Sequence, residues 1–339
     1  YMKILVTGGL GFIGSHTVVE LQNSGYEVVI IDDCSNSSEK VLDGIYAITK
    51  KMPVFEKINL REKEKVHDFF KKHADIKGTI HFAASKAVGE SVEKPLLYYE
   101  NNLNTLIYLL QEITAGKRQS FIFSSSCTVY GQADQMPITE DAPVKKAESP
   151  YGNTKQIGEE IISDTCSVNP ELQAISLRYF NPMGAHPSAE IGELPIGVPQ
   201  NLVPFITQTG AGLREQLSVF GDDYPTPDGT CIRDYIHVVD LAKAHVVALG
   251  RLLAGKNPQN YEVFNVGTGA GSSVLDVISS FERVSGKKLN YKIVNRREGD
   301  ITTAYADTKK ANEILGWNAG STLDQAMKSA WDWEQRIRK

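Results

Sequence analysis

Tyr151 and Lys155 stand four residues apart just after Ser149-Pro150, a pair that reads as the start of a helix. The spacing sets a phenol and an ammonium one above the other on a single helix face. A tyrosine with an ordinary pKa near ~10 is a poor base at neutral pH and needs positive charge nearby to hold a phenolate. Lys155 can supply one such charge, and a cationic cofactor would add another. The phenolate can then take the proton of a carbinol as that carbinol is oxidised. Ser126, the last of the run Ser124-Ser125-Ser126, can hydrogen-bond the same oxygen and hold it at a near-attack distance.

Such chemistry needs a hydride acceptor, and the start of the chain is built to hold one. Thr7-Gly8-Gly9-Leu10-Gly11-Phe12-Ile13-Gly14 follows the apolar run Ile4-Leu5-Val6 and leads into the helical pattern Ile13, Thr17, Val18, Leu21. Gly9, Gly11 and Gly14 fit G-x-G-x-x-G, which gives a tight turn, close backbone approach to a pyrophosphate and close helix–strand packing. The helix N-terminus then offers free N–H groups to the anion. A second strand, Glu27 to Ile31, ends in Asp32, 18 residues after Gly14. Its carboxylate can accept both ribose hydroxyls of an adenosine and would repel a 2′-phosphate, which favours NAD over NADP.

The elements that must position these groups follow in order. Gly78 to Ala83 reads as a strand whose carboxyl end carries Ala84 to Ser91, with Lys86 able to face a phosphate or sugar. A long helix from about Pro95 to Ala115 carries Asn101 and Asn102, and Phe121-Ile122-Phe123 runs into the hydroxyl cluster. Ala174 to Phe180 is a further strand. This βα alternation predicts an α/β fold: a Rossmann-type doubly wound parallel sheet over residues 1–180 and a smaller mixed α/β substrate domain over 181–339. Beyond Asn181-Pro182 the pattern breaks into a stretch rich in glycine and proline, with further short strands from Phe264 onward. A helix within 237–256 is expected to pack back on the first domain.

Composition narrows the class. The 339 residues are 41% hydrophobic and 23% charged, and the net charge of −5 is spread without a basic stripe, so neither nucleic acid nor a membrane surface is an expected partner. Cys34, Cys127, Cys166 and Cys231 are widely spaced, which suggests no disulfide framework and a reducing, cytoplasmic setting. The seven histidines show no metal-ligand spacing, and no metal is expected. No leader or membrane-length apolar run is read at the N-terminus, where Tyr1 ahead of Met2 looks like an addition to the natural chain.

Nearly end to end, the chain resembles the extended short-chain dehydrogenase/reductase family and, within it, the UDP-glucose 4-epimerase family. The stretches that carry the resemblance are Thr7 to Gly14, Lys86 to Ser91, Phe121 to Gly131, Ser149 to Lys155, Arg178 to Pro182, Gly229 to His237 and Arg296-Arg297-Glu298-Gly299-Asp300. The resemblance implies tightly held NAD contacted by Gly8, Gly11, Phe12, Ile13, Gly14, Asp32, Asn36, Asn59, Leu60, Phe82, Ala83, Lys86, Asn101, Tyr151, Lys155 and Phe180. For a UDP-hexose it implies Lys86, Ser126, Tyr151, Asn181, Asn201, Leu202, Phe220, Arg233, Arg297, Asp300 and Ala304, with Arg233 and Arg297 as forked donors to the diphosphate. It further implies a homodimer, and a reaction that removes hydride from C4, leaves a 4-keto sugar that swings over, and returns hydride to the other face.

Two positions depart from the family pattern. Asn59 stands where an aspartate would face the adenine, and Ala304 is small at a point of the sugar pocket that is bulky in some relatives, which would admit N-acetylated hexosamines. Two rival readings are a nucleotide-sugar 4,6-dehydratase and a non-catalytic NAD-binding sensor. The dehydratase pattern has acidic residues after the active-site hydroxyl, whereas Cys127 and Thr128 follow Ser126; intact Ser126, Tyr151 and Lys155 argue against the sensor.

Overall fold

A computed structural model describes residues 1–116, 119–297 and 299–339. The first half alternates strand and helix: β1 (Lys3–Thr7), α1 (Phe12–Asn23), β2 (Glu27–Asp32), α2 (Val41–Thr49), β3 (Val54–Lys57), α3 (Lys63–Lys72), β4 (Ile76–His81), α4 (Val88–Glu93), α5 (Pro95–Ala115), β5 (Gln119–Ser126), α6 (Pro150–Val168) and β6 (Leu172–Tyr179). A 3₁₀ turn, Cys127–Tyr130, follows β5. Next come β7 (Asn181–Met183), α7 (Leu202–Gly210), β8 (Leu217–Phe220), β9 (Ile232–Arg233), β10 (Tyr235–His237), α8 (Val238–Leu253), β11 (Tyr261–Val266), β12 (Ser272–Ser273), α9 (Val274–Ser285), β13 (Tyr291–Val294), β14 (Thr303–Ala304) and α10 (Leu323–Arg336).

Seven parallel strands form one sheet in the order β11-β6-β5-β4-β1-β2-β3. The inner strands are buried on both faces, as parallel strands between helix layers must be, and β6 is buried along its whole length. On one face Ile4, Val6, Val28 and Ile80 join Val18 and Leu21 of α1 and Leu241, Ala244 and Leu249 of α8. On the other, Leu5, Val29 and Phe121 join Phe69 of α3, Leu106 and Leu109 of α5 and Ile162 of α6. The strand around Phe264 is no isolated short element. Tyr261 to Val266 pair along β6 from Ala174 to Tyr179 and complete the large sheet. Tyr-Glu-Val-Phe-Asn-Val has the β-branched and aromatic content of a strand, but only pairing identifies its neighbour.

The remaining elements enclose a separate core in which Val203 and Ile206 of α7 and Val277 of α9 gather around Phe281 and Trp331, whose rings meet edge to face at 5.2 Å. Three small sheets, β10-β7, β12-β9-β14 and β13-β8, frame it. Among the described residues no helix is long and apolar enough to cross a membrane.

Candidate active site

Sheet order fixes where a ligand can enter. β1 lies between β2 and β4, so the chain leaves β1 and β4 in opposite directions, and a crevice opens at their carboxyl ends. Gly8 takes a left-handed φ of 67°, and a Cβ on it would lie 2.8 Å from the Ala83 amide nitrogen, so the turn presses against the end of β4. A Cβ on Gly14 would lie 2.1 Å from the Gly8 carbonyl oxygen, an approach only glycine allows. At Gly11 a Cβ would meet only that same carbonyl, at 3.3 Å, which leaves its outer side open. Gly11 precedes α1 in extended backbone and no side chain caps the helix, so the first-turn N–H groups around Phe12 and Ile13 are available to an anion.

The other crevice residues come from successive strand ends. Asp32 closes β2, and its carboxylate accepts from the Leu10 amide (3.0 Å), the Cys34 amide (3.0 Å) and the Ser37 hydroxyl (2.8 Å). That ties the turn after β1 to the loop after β2, where Asn36 is exposed. Asn59 lies two residues past β3 with its side-chain oxygen accepting from the Arg61 amide at 3.0 Å, and Leu60 is buried beside it. Phe82 and Ala83 leave β4 with their amides donated to the Thr7 carbonyl and hydroxyl, while Lys86 is exposed. Asn101 donates to the Ser85 hydroxyl at 3.0 Å. Asn102 is the buried one of the pair, and it bonds the Ser85 amide and carbonyl and Thr154. Phe180, just past β6, is buried. The set fits a dinucleotide: open glycine backbone and free amides for a pyrophosphate, a fixed carboxylate for a ribose.

Ser126 ends β5 and Tyr151 opens α6, where Ser149 caps the helix by accepting from the Gly152 amide at 3.1 Å and Pro150 stands in the first turn. The Ser126 hydroxyl accepts from the Thr128 amide at 3.2 Å, fixing the 3₁₀ turn beside it. Tyr151 and Lys155 are 9% and 5% exposed, values that place both inside the protein wall rather than on a solvated helix face. The Lys155 ammonium donates to the Ser124 carbonyl at 2.6 Å and sits 4.9 Å from the Phe123 ring centre.

Burial pushes the Tyr151 phenol far above its ordinary pKa, Tyr179 adds to the rise, and the Ser126 hydroxyl opposes it. Burial also lowers Lys155 to about 8, with the Glu159 carboxylate opposing. Within the chain, burial therefore favours the neutral phenol of Tyr151. A cation delivered into the crevice changes that balance.

The residues expected to meet a sugar nucleotide fall into three groups. Arg233 on β9 is register partner to Ala304 on β14, and Ala304 is buried. The Arg297 guanidinium lies 5.4 Å from the Phe220 ring centre and is paired with Asp300 at 2.7 Å; Glu298, between them in sequence, lies outside the described residues. Asn181 opens β7 directly after Phe180. Asn201 stands at the N-terminus of α7 ahead of Leu202 and donates to the Glu193 carboxylate at 2.8 Å.

Glu193 carries no motif in the sequence and is brought to the site only by folding. Burial raises its pKa, and Lys86 opposes that rise. Among the described residues no cluster of His, Cys, Asp and Glu could hold a metal.

The family model described as GDP-mannose 4,6 dehydratase matches residues 5–330. The UDP-glucose 4-epimerase of Bacillus subtilis is 49% identical over 333 residues, covering 98% of this chain and 97% of that one. A crystal structure of UDP-glucose 4-epimerase from Stenotrophomonas maltophila with bound NAD and formylated UDP-arabinopyranose has a TM-score of 0.95 at 44% identity, covering 100% of this chain and 99% of that chain. That from Bifidobacterium longum, in complex with NAD+ and UDP, has a TM-score of 0.94 at 43% identity, covering 99% of each. Sequence likeness along the full length, the same fold and a Ser-Tyr-Lys cluster beside a dinucleotide crevice lead to one conclusion: the chain belongs to the UDP-glucose 4-epimerase family of extended short-chain dehydrogenases/reductases.

Proposed function

We propose that the chain interconverts UDP-glucose and UDP-galactose with NAD held in the crevice between the Gly8–Gly14 turn and the end of β4. The observation that carries this reading is the burial of Ser126, Tyr151 and Lys155 together beside that crevice in a chain with epimerase relatives. Bound NAD supplies the acceptor that takes hydride from C4 of the hexose and gives it back. Asp32, at the adenosine end, favours NAD over its 2′-phosphate.

Tyr151 takes the O4 proton as the C4–H bond breaks and returns it when that bond re-forms on the opposite face, so redox change is zero. Ser126 holds O4 against the phenol, and Lys155 keeps positive charge behind it. Arg233 and Arg297 grip the diphosphate while the 4-keto sugar turns, with Asn181, Asn201, Leu202, Phe220 and Asp300 around the nucleotide. Lys86, exposed after β4, is free to meet a phosphate or the sugar. Dehydration is disfavoured, because the residue after Ser126 is Cys127, whose thiol burial pushes up to about 12, and no acid stands there to protonate a departing hydroxyl.

Residues 1–180 form the NAD unit, joined by α8 within 237–256, and 181–339 mainly the nucleotide-sugar unit. Ala304 leaves room for an N-acetyl group, which extends activity to UDP-N-acetylglucosamine and UDP-N-acetylgalactosamine. The four free cysteines fit a cytoplasmic setting, and the assembly is a homodimer. The test is incubation of the purified chain with UDP-galactose and no added NAD, followed by separation of the nucleotide sugars. UDP-glucose is the expected product, and repeating the assay with the N-acetylated pair tests Ala304. No conversion, even with NAD supplied, would overturn the reading.

A further inference from the structure

Asp234, next to Arg233, is fully buried and belongs to no catalytic or cofactor group described above. Its carboxylate accepts four hydrogen bonds from two other segments. One oxygen takes the Thr268 amide (2.9 Å) and hydroxyl (2.7 Å); the other takes the Gly269 amide (3.1 Å) and the Ala306 amide (3.1 Å). Its backbone binds two more: the Asp234 amide donates to the Ala304 carbonyl (3.0 Å), and its carbonyl accepts from the Asn181 amide (2.9 Å).

A single residue is thereby bonded to the backbones of Asn181 and Ala304, covalently joined to Arg233, and clamped by the loop at Thr268–Gly269. Asn181, Arg233 and Ala304 are three of the positions assigned to the sugar nucleotide, each drawn from a different strand more than fifty residues from the next. Space is closed around it: a Cβ on Gly267 would lie 2.5 Å from the carboxylate. Burial raises the carboxyl above the ordinary aspartate pKa, and all four donors, which favour the ionised form, oppose that rise.

We infer that Asp234 is a positioning residue for the nucleotide-sugar subsite, holding Asn181, Arg233 and Ala304 in one arrangement so that the diphosphate and the hexose are bound together. The inference rests on the assignment of that subsite to a UDP-hexose. It concerns ground-state binding, because none of the six hydrogen bonds reaches Ser126, Tyr151 or Lys155. Loss of the clamp should therefore appear in KM and leave kcat, with NAD in place, near normal.

The test compares Asp234→Asn, Thr268→Val and Arg233→Ala in the NAD-loaded enzyme with UDP-galactose, with bound NAD measured per chain. An asparagine keeps the volume but must turn its NH₂ toward N–H donors on one side. The expected result is a KM raised about tenfold or more, with kcat within about threefold and NAD content unchanged. Thr268→Val removes that hydroxyl donor, together with the hydroxyl's contacts to the Ala270 backbone, with little change of shape and is expected to raise KM by about two- to fivefold. If Asp234→Asn does not fold, Thr268→Val decides by the same criterion.

Unchanged KM in the folded variants, or kcat falling as far as KM rises, would overturn the inference. Arg233→Ala separates the two levels. If it leaves KM unchanged, the subsite assignment itself fails; if it raises KM while the clamp variants do not, only the role of Asp234 fails.

Discussion

Lys155 holds its ammonium 5.8 Å from the centre of the Tyr151 ring, while its hydrogen bond goes to the Ser124 carbonyl. The lysine thus stands beside the phenol without bonding it, at a distance fixed by one helical turn and one backbone oxygen. Tyr151→Phe keeps this packing and removes only the group that exchanges a proton. Turnover is expected to fall by about 10²- to 10⁴-fold while the variant retains NAD, checked by kcat and by cofactor released on denaturation. Near-normal turnover would mean that another group serves as base.

Gly14→Ala probes the crevice without touching the chemistry. A methyl 2.1 Å from the Gly8 carbonyl must push α1 away from the turn that faces the pyrophosphate. The purified variant is expected to lose most of its bound NAD and to recover part of its activity when NAD is added. Full retention of the cofactor would show that helix–turn contact does not shape the site.

Glu159 and Arg178 form a buried two-point ion pair at 2.9 and 2.5 Å behind the catalytic strand, joined by the Ser125 hydroxyl at 2.6 Å. Removing one partner strands a buried charge. Arg178→Met is expected to cost about 3–5 kcal/mol in urea unfolding, and adding Glu159→Leu should restore most of the loss. A single variant as stable as the parent would mean that the charge finds water.

Three buried histidines set an acid limit on stability. Burial lowers His16 and His81 to about 3 and His245 to about 4, and Lys155 adds to the depression at His81. The folded chain stays unprotonated at these sites where the unfolded chain takes up protons, so their contribution is present above an ordinary histidine pKa of about 6.5 and is lost as pH falls toward those values. On unfolding near pH 5 these three sites should take up about three protons, each contributing about 1.4 kcal/mol per pH unit, and His186 and His237, also lowered by burial, add in the same direction. Urea titrations at pH 7, 6 and 5 measure the slope. His245→Gln should reduce it by about 1.4 kcal/mol per pH unit, and equal stability at pH 7 and pH 5 would exclude the mechanism.

Much of the placement of the candidate site was legible because its motifs are local in the chain. Gly8 to Gly14, the strand ending in Asp32, and Tyr151 with Lys155 each lie within one turn or one element, where spacing alone sets geometry. The place of Ser126 followed from strand alternation. Asp234, Glu193 and the Glu159–Arg178 pair were not legible. Each is an ordinary acidic or basic residue whose partners lie 8 to 72 positions away in the chain, and no periodicity links them.

By itself the sequence determined the α/β order, the glycine turn, the acid that ends β2 and the helix face carrying Tyr151 and Lys155, since hydrophobic period, capping and glycine spacing act over a few residues. Tertiary structure alone decided that β11 joins the large sheet beside β6 and that Lys155 turns to the Ser124 carbonyl. It also decided that Asp234 binds Asn181, Thr268 and the segment from Ala304 to Ala306. Those outcomes depend on which distant groups share a buried space and must satisfy one another's hydrogen bonds, a condition met only when the chain has closed on itself.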